Sequence, residues 1–162
     1  MKCADEWSAR VPPMSLSDVS DLLWRERRIL ETLLFKLEEE RLILAAGRTR
    51  WLVHATREVE MVLDEIKHIE LERAVVLDDV SANLGLGDAS TLDALASSTT
   101  APWPQIFDDH RAALLELTRE ICTAADANRG LLARGHNATR AALDALSTGC
   151  IPVDLVEEAT RP

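Results

Sequence analysis

Apolar residues recur along this chain with the period of a helix, and over its first third with that of a coiled coil. Leu16, Leu23, Leu30, Leu37 and Leu44 follow one another every seven residues, with Val19 and Leu33 at intervening positions, the spacing of a heptad seam. Glu26 and Glu40 hold the other two intervening positions, so the seam is imperfect, while Leu22, Ile29, Leu34 and Ile43 widen the stripe beyond what a two-stranded zipper buries. Such a helix needs more than one neighbour. Ser15 or Ser17 is placed to cap it, with Asp18 and Asp21 against the positive end of the helix dipole. Gly47 ends it, and Arg48-Thr49-Arg50 make a connection short enough to set the next helix antiparallel.

The second helix has a cleaner register. Leu52, Ala55, Val59, Val62, Ile66, Ile69, Val76 and Val80 alternate in steps of three and four, interrupted at Arg73, until Gly85 and Gly87; about thirty residues at ~1.5 Å each give roughly 45 Å. The next segment is rich in Gly, Ser, Thr and Pro, yet Ser90 to Leu95 carries the Ser/Asp spacing of a weak capping box, predicting a short helix near 90–97. A third long helix follows Pro104, with Phe107, Leu114, Leu117, Ile121, Ala124, Asn128, Leu131, Ala138, Ala142 and Ala145 in seam register. Its second half is thin: each alanine or glycine, Gly135 included, forgoes roughly 1.5–3 kcal/mol of burial that a leucine would supply.

These elements predict an all-α fold: an elongated antiparallel three-helix coiled-coil-like bundle with a short extra helix in the long second connection. The expected divisions are a flexible leader at 1–14, one helical-bundle domain at 15–146 (helices about 15–46, 51–83 and 104–146, short helix about 90–97), and a flexible tail at 147–162. Trp24, Phe35, Trp51, Met61, Leu63, Leu71, Val75 and Leu77 flank the seams. Three-helix packing accounts for many of them; beside a thin third helix, the surplus is the apolar surface of a groove that receives a partner's amphipathic helix.

Composition narrows the function. The formal charge is -10, which argues against a phosphate-backbone ligand; the arginines between Arg25 and Arg57 are threaded with glutamates and read as a solvated mixed-charge face. Cys3, Cys122 and Cys150 are widely separated without CxxC spacing, suggesting neither a disulfide framework nor a zinc site. The N-terminal residues lack a secretory apolar core, and no stretch reaches the ~18 apolar residues of a membrane span, so the expected location is the cytoplasm, with no nucleic-acid partner and no membrane insertion.

Catalytic chemistry finds little support. Glu65-Ile-Lys-His68 has the Glu-x-x-His spacing of half a di-iron site, but Ile66 and Ile69 face inward, which turns Glu65 and His68 to the flanks. His54, His110 and His136 have no glutamate three residues before them. His110 falls on the third helix's seam and reads as a partly buried histidine at the helix entry. Gly85 and Gly87 follow a helix rather than a strand, unlike a phosphate loop. No catalytic residue, metal or cofactor is expected.

Four segments carry a resemblance to a known family: LLWRERRILETLLFKLEEERLILAAGRTRWL (Leu22 to Leu52), IELERAVVLDDVSANLGL (Ile69 to Leu86), STLDALA (Ser90 to Ala96) and ANRGLLARG (Ala127 to Gly135). In this order they resemble the FlgN-type flagellar export chaperones across residues 16–146. The resemblance implies a non-enzymatic type III export chaperone that holds the terminal helices of hook-associated junction proteins, prevents their premature assembly and keeps them export-competent, with the flagellar export apparatus as a further contact. It also implies that the C-terminal helix captures the partner, which falls on the thin seam: Ala124, Asn128, Leu131, Leu132, Gly135, Ala138, Ala142, Leu143 and Leu146. The free chain is expected to be a monomer or weak homodimer. A self-associating coiled-coil structural or adaptor protein would use the same heptads, and that alternative stays open.

Overall fold

Ser15 opens the first helix. In the computed structural model, which describes residues 14–86 and 91–148, its hydroxyl accepts from the Asp18 amide while the Asp18 carboxylate accepts from the Ser15 amide, a reciprocal capping box. Helix α1 (Leu16–Ala45) then runs for 30 residues. It stops where Gly47 takes a positive φ of 62°, a conformation that a side chain would strain. A single 3-10 turn, Thr49–Trp51, reverses the chain into α2 (Leu52–Asn83). That helix ends in the same way, at Gly85 with φ 71°.

The short helix α3 spans Leu92–Ser98. Its cap is Thr91, whose hydroxyl accepts from the Ala94 amide at 3.1 Å; Ser90, the cap expected from sequence, lies outside the described residues. Helix α4 (Trp103–Thr148) is 46 residues long, far longer than either partner. The predicted leader falls almost wholly outside the described residues, as does the tail beyond Thr148.

Every packed element is a helix, and helices pack on helices, so the fold is an all-α bundle. Helix α1 is its axis: α2 packs on it antiparallel, α4 packs on it parallel, and the backbones of α2 and α4 scarcely approach each other. This departs from an even three-cornered bundle, and the wide apolar stripe of α1 suits it to receive a neighbour on each side. Near the start of α1, Val19, Leu22 and Leu23 meet Ile69, Val76, Leu77 and Val80 of α2, Leu95 and Ala96 of α3, and Phe107 of α4. Leu77, expected on a flank, is therefore in the core. Farther along, a smaller cluster joins Leu33 and Leu37 to Val59, Val62 and Ala124. Trp24, Phe35, Trp51, Met61, Leu63, Leu71 and Val75 stay exposed.

The two glutamates that interrupt the α1 seam are both buried. Glu26 pairs with Arg73 of α2 at 3.1 Å, which also accounts for the break that Arg73 makes in the second seam. Outside, the mixed charges form the expected solvated network, with Arg25 to Glu72 at 2.8 Å and Lys36 to Glu58 at 2.7 Å. Exposed pairs of this kind contribute little, about 0–1 kcal/mol each.

Candidate functional site

The decisive geometry is the register of α4 against α1. Ser20 Oγ and His110 Nε2 share a hydrogen bond of 3.2 Å across 90 positions, and the Asn128 side-chain amide donates to the Leu37 carbonyl at 2.9 Å and to Glu40 Oε2 at 3.0 Å, across 91 and 88. The two helices thus run side by side with a nearly constant offset. Helix α1 ends at Ala45, so the offset runs out near residue 136, and the last dozen residues of α4 have no part of α1 opposite them. At ~1.5 Å per residue this is roughly 20 Å of unaccompanied helix.

The sequence-predicted residues divide at this boundary. Ala124 and Asn128 are buried inside the bundle and Leu131 is half-buried, whereas Leu132, Gly135, Ala138, Ala142, Leu143 and Leu146 are exposed. From Leu132 to Ser147 every residue is exposed. Leu143 and Leu146, 61% and 71% exposed, stand eleven and fourteen positions after Leu132, which puts all three on one side of the helix. Arg129, His136 and Arg140 repeat the same kind of spacing on the adjoining strip. The projecting segment is thus amphipathic, with a leucine stripe bordered by base. Beside it, at the turn between α1 and α2, Leu42, Trp51 and Val53 are exposed as well.

Asn128 does internal work. It is 3% exposed, and Glu40, which receives its amide, also accepts from the Thr56 hydroxyl of α2 at 2.8 Å. One glutamate therefore joins three helices at the last packed turn before α4 leaves the bundle. In the sequence Glu40 is an interruption of the seam, and the signal of its role is that a carboxylate at a core heptad position needs a partner.

At the opposite end His110 is 2% exposed, deeper than expected. Its ring meets Trp24 edge-on at 5.1 Å, and the Arg27 guanidinium lies 4.3 Å from the Trp24 ring centre. Burial first, and the Arg27 charge second, hold the imidazole below its usual pKa, while Asp109 opposes them. Glu65 and His68 are exposed, and His68 Nδ1 is 2.6 Å from the carbonyl of Asp64 in its own helix. Among the described residues no three of His, Cys, Asp and Glu gather where they could hold a metal ion, and no helix is long and apolar enough to cross a membrane. Cys122 is free and exposed; Cys3 and Cys150 lie outside the described residues.

A search of the curated proteins and of the solved structures found no match to this chain. A family model does match: described as FlgN protein, it spans residues 14–149, from the cap of α1 to just beyond α4. By that match over most of its length, the chain belongs to the FlgN protein family and shares the general role of that family as a flagellar export chaperone.

Proposed function

We propose that this chaperone captures the terminal helices of hook-associated junction proteins on the projecting end of α4, in the cytoplasm, and releases them for export. The observation that carries the reading is the run of exposed residues from Leu132 to Ser147, which continues past the end of α1 and carries an exposed leucine stripe. A helix with an apolar stripe and no neighbour is half of a coiled coil, and a second amphipathic helix is its natural complement. Junction proteins whose terminal helices lack partners before assembly have that complement. Masking those helices prevents premature polymerisation, and a contact limited to a few turns keeps the affinity moderate, so that release is easy.

Of the residues assigned to capture, Leu132, Gly135, Ala138, Ala142, Leu143 and Leu146 form the contact face in this proposal, and Leu131 sits at its inner edge. Ala124 and Asn128 act behind it, by holding α4 against α1.

Co-expression with terminal segments of hook-associated proteins tests the reading. The wild-type chain is expected to co-purify with such a segment, and a Leu143→Asp, Leu146→Asp variant to lose it while keeping the wild-type helical signal. Absence of co-purification together with a stable self-dimer by light scattering would favour the self-associating adaptor, in which the same exposed stripe pairs with a second copy.

A further inference from the structure

A groove of about 290 Å³ opens beside the first apolar cluster, lined in part by Leu92 and Leu114, which pack on that cluster. Glu70 and Arg73 of α2 line one wall, Arg111, Leu115 and Thr118 of α4 line the other, and Glu26 of α1 lies at the base. The gap exists because α2 and α4 both lean on α1 rather than on each other.

Glu26 is 4% exposed, and only one of its oxygens is satisfied: Oε1 is paired with Arg73, while Oε2 is buried with no hydrogen-bond partner. A carboxylate oxygen removed from water without a donor is costly, and the sequence has not avoided it with a leucine, which every heptad rule would favour there. The surrounding charges leave it unmet. Arg73 is committed to the other oxygen, and Arg111 lies 3.7 Å from Asp108. Glu70 has no ion pair among the described residues, and its charge adds to burial in raising the Glu26 pKa, against the pull of Arg73. The unpaired charge of the groove is therefore negative, while its exposed apolar element is Leu115, half open to solvent.

We infer that this groove receives an arginine side chain from a helix of a partner protein laid between α2 and α4, its guanidinium donating to Glu26 Oε2 and held at the rim by Glu70. Guanidinium suits the site because its planar fork serves two acceptors at once and is weakly hydrated, so that it enters a half-buried cleft at lower cost than an ammonium. A helix suits it because both walls are helices and Leu115 offers apolar contact beside the charge. The site lies in the middle of the bundle, remote in sequence register from the projecting end of α4, and does not depend on the function proposed for that end.

The test uses the full chain and backbone amide NMR, with n-butylguanidinium as the arginine mimic and n-butylurea as its neutral isostere. Saturable shifts are expected at Leu115 and Thr118 with the guanidinium and not with the urea. Affinity should fall about tenfold in Glu26→Gln, the loss of one charged hydrogen bond, and by less in Glu70→Gln, whose exposed position leaves the fold unaffected should the first variant misfold. A helical peptide with one central arginine should bind more tightly than the small cation, and its citrulline version should not. No saturable response, an equal response to the urea, or indifference to both substitutions would overturn the site; a peptide no tighter than the small cation would overturn the helical partner.

Discussion

The two halves of α4 have the same secondary structure and nearly the same seam spacing, yet they live under different physics. In the first half Phe107 and His110 are sealed against α1 and α3, and Asn128 closes the last packed turn. In the second half nothing is sealed, and the helix continues through alanine, leucine and arginine because these residues favour it and because extending an existing helix requires no new nucleus. One half is held by tertiary burial and the other by local preference. A segment of the second kind opens at small cost and is available to a partner.

The contrast can be broken most forcefully at Phe107. Phe107→Ala should lower unfolding stability by about 3–5 kcal/mol in urea denaturation, as large-to-small changes in sealed cores do. Next, Asn128→Ala removes the amide that donates to the Leu37 carbonyl and to Glu40 Oε2, leaving Glu40 the Thr56 hydroxyl on its other oxygen, and should cost about 1–3 kcal/mol, together with faster amide exchange in the turns of α4 just before Leu132. A smaller effect separates the halves by pH. The His110 pKa is held below its ordinary 6.5, so the unfolded chain takes the proton more readily. The stability conferred by the neutral ring is complete above 6.5 and is lost as pH falls toward the lowered folded value; urea midpoints on either side should show this slope, and His110→Gln should flatten it. Least of all, Leu143→Ala should change stability by no more than about 0.5 kcal/mol. A Leu143→Ala cost comparable with that of Phe107→Ala would erase the distinction. Hydrogen exchange sharpens it: amides from 137 to 147 should exchange well before those of α2 in the free chain, and become protected once a partner helix is bound.

Much of this architecture was legible in the heptad leucines, in Gly47 and Gly85, and in the spacing of the third seam. What periodicity could not reveal was partnership. Glu26 and Glu40 read as defects because a pattern of apolar positions registers the type of a side chain and not the group that it meets on another helix; both are the points where α1 engages its neighbours. Leu77 read as a flanking residue because it lies off the second seam, and it joins the core cluster with residues of α1 and α3. The thin seam from Ala124 to Ala145 read as one continuous weak face. The structure divides it near Leu131, since the same alanines bury surface where α1 lies opposite and expose it where α1 has ended. Only the disparity of the predicted helices, about 104–146 against about 15–46 and 51–83, hinted that a portion of α4 would stand alone.

Asn128 has one more consequence, and it concerns measurement. If α4 slid by one heptad along α1, leucine and alanine would still meet apolar carbon, and hydrophobic contact alone would resist little. The amide, however, would leave Glu40 behind, and one oxygen of a buried carboxylate would lose its donor. A single polar residue in an otherwise permissive seam thereby works as the zero mark of a ruler: it converts a position in the sequence into a fixed reach, and sets how many turns of helix the chaperone holds out beyond its own body.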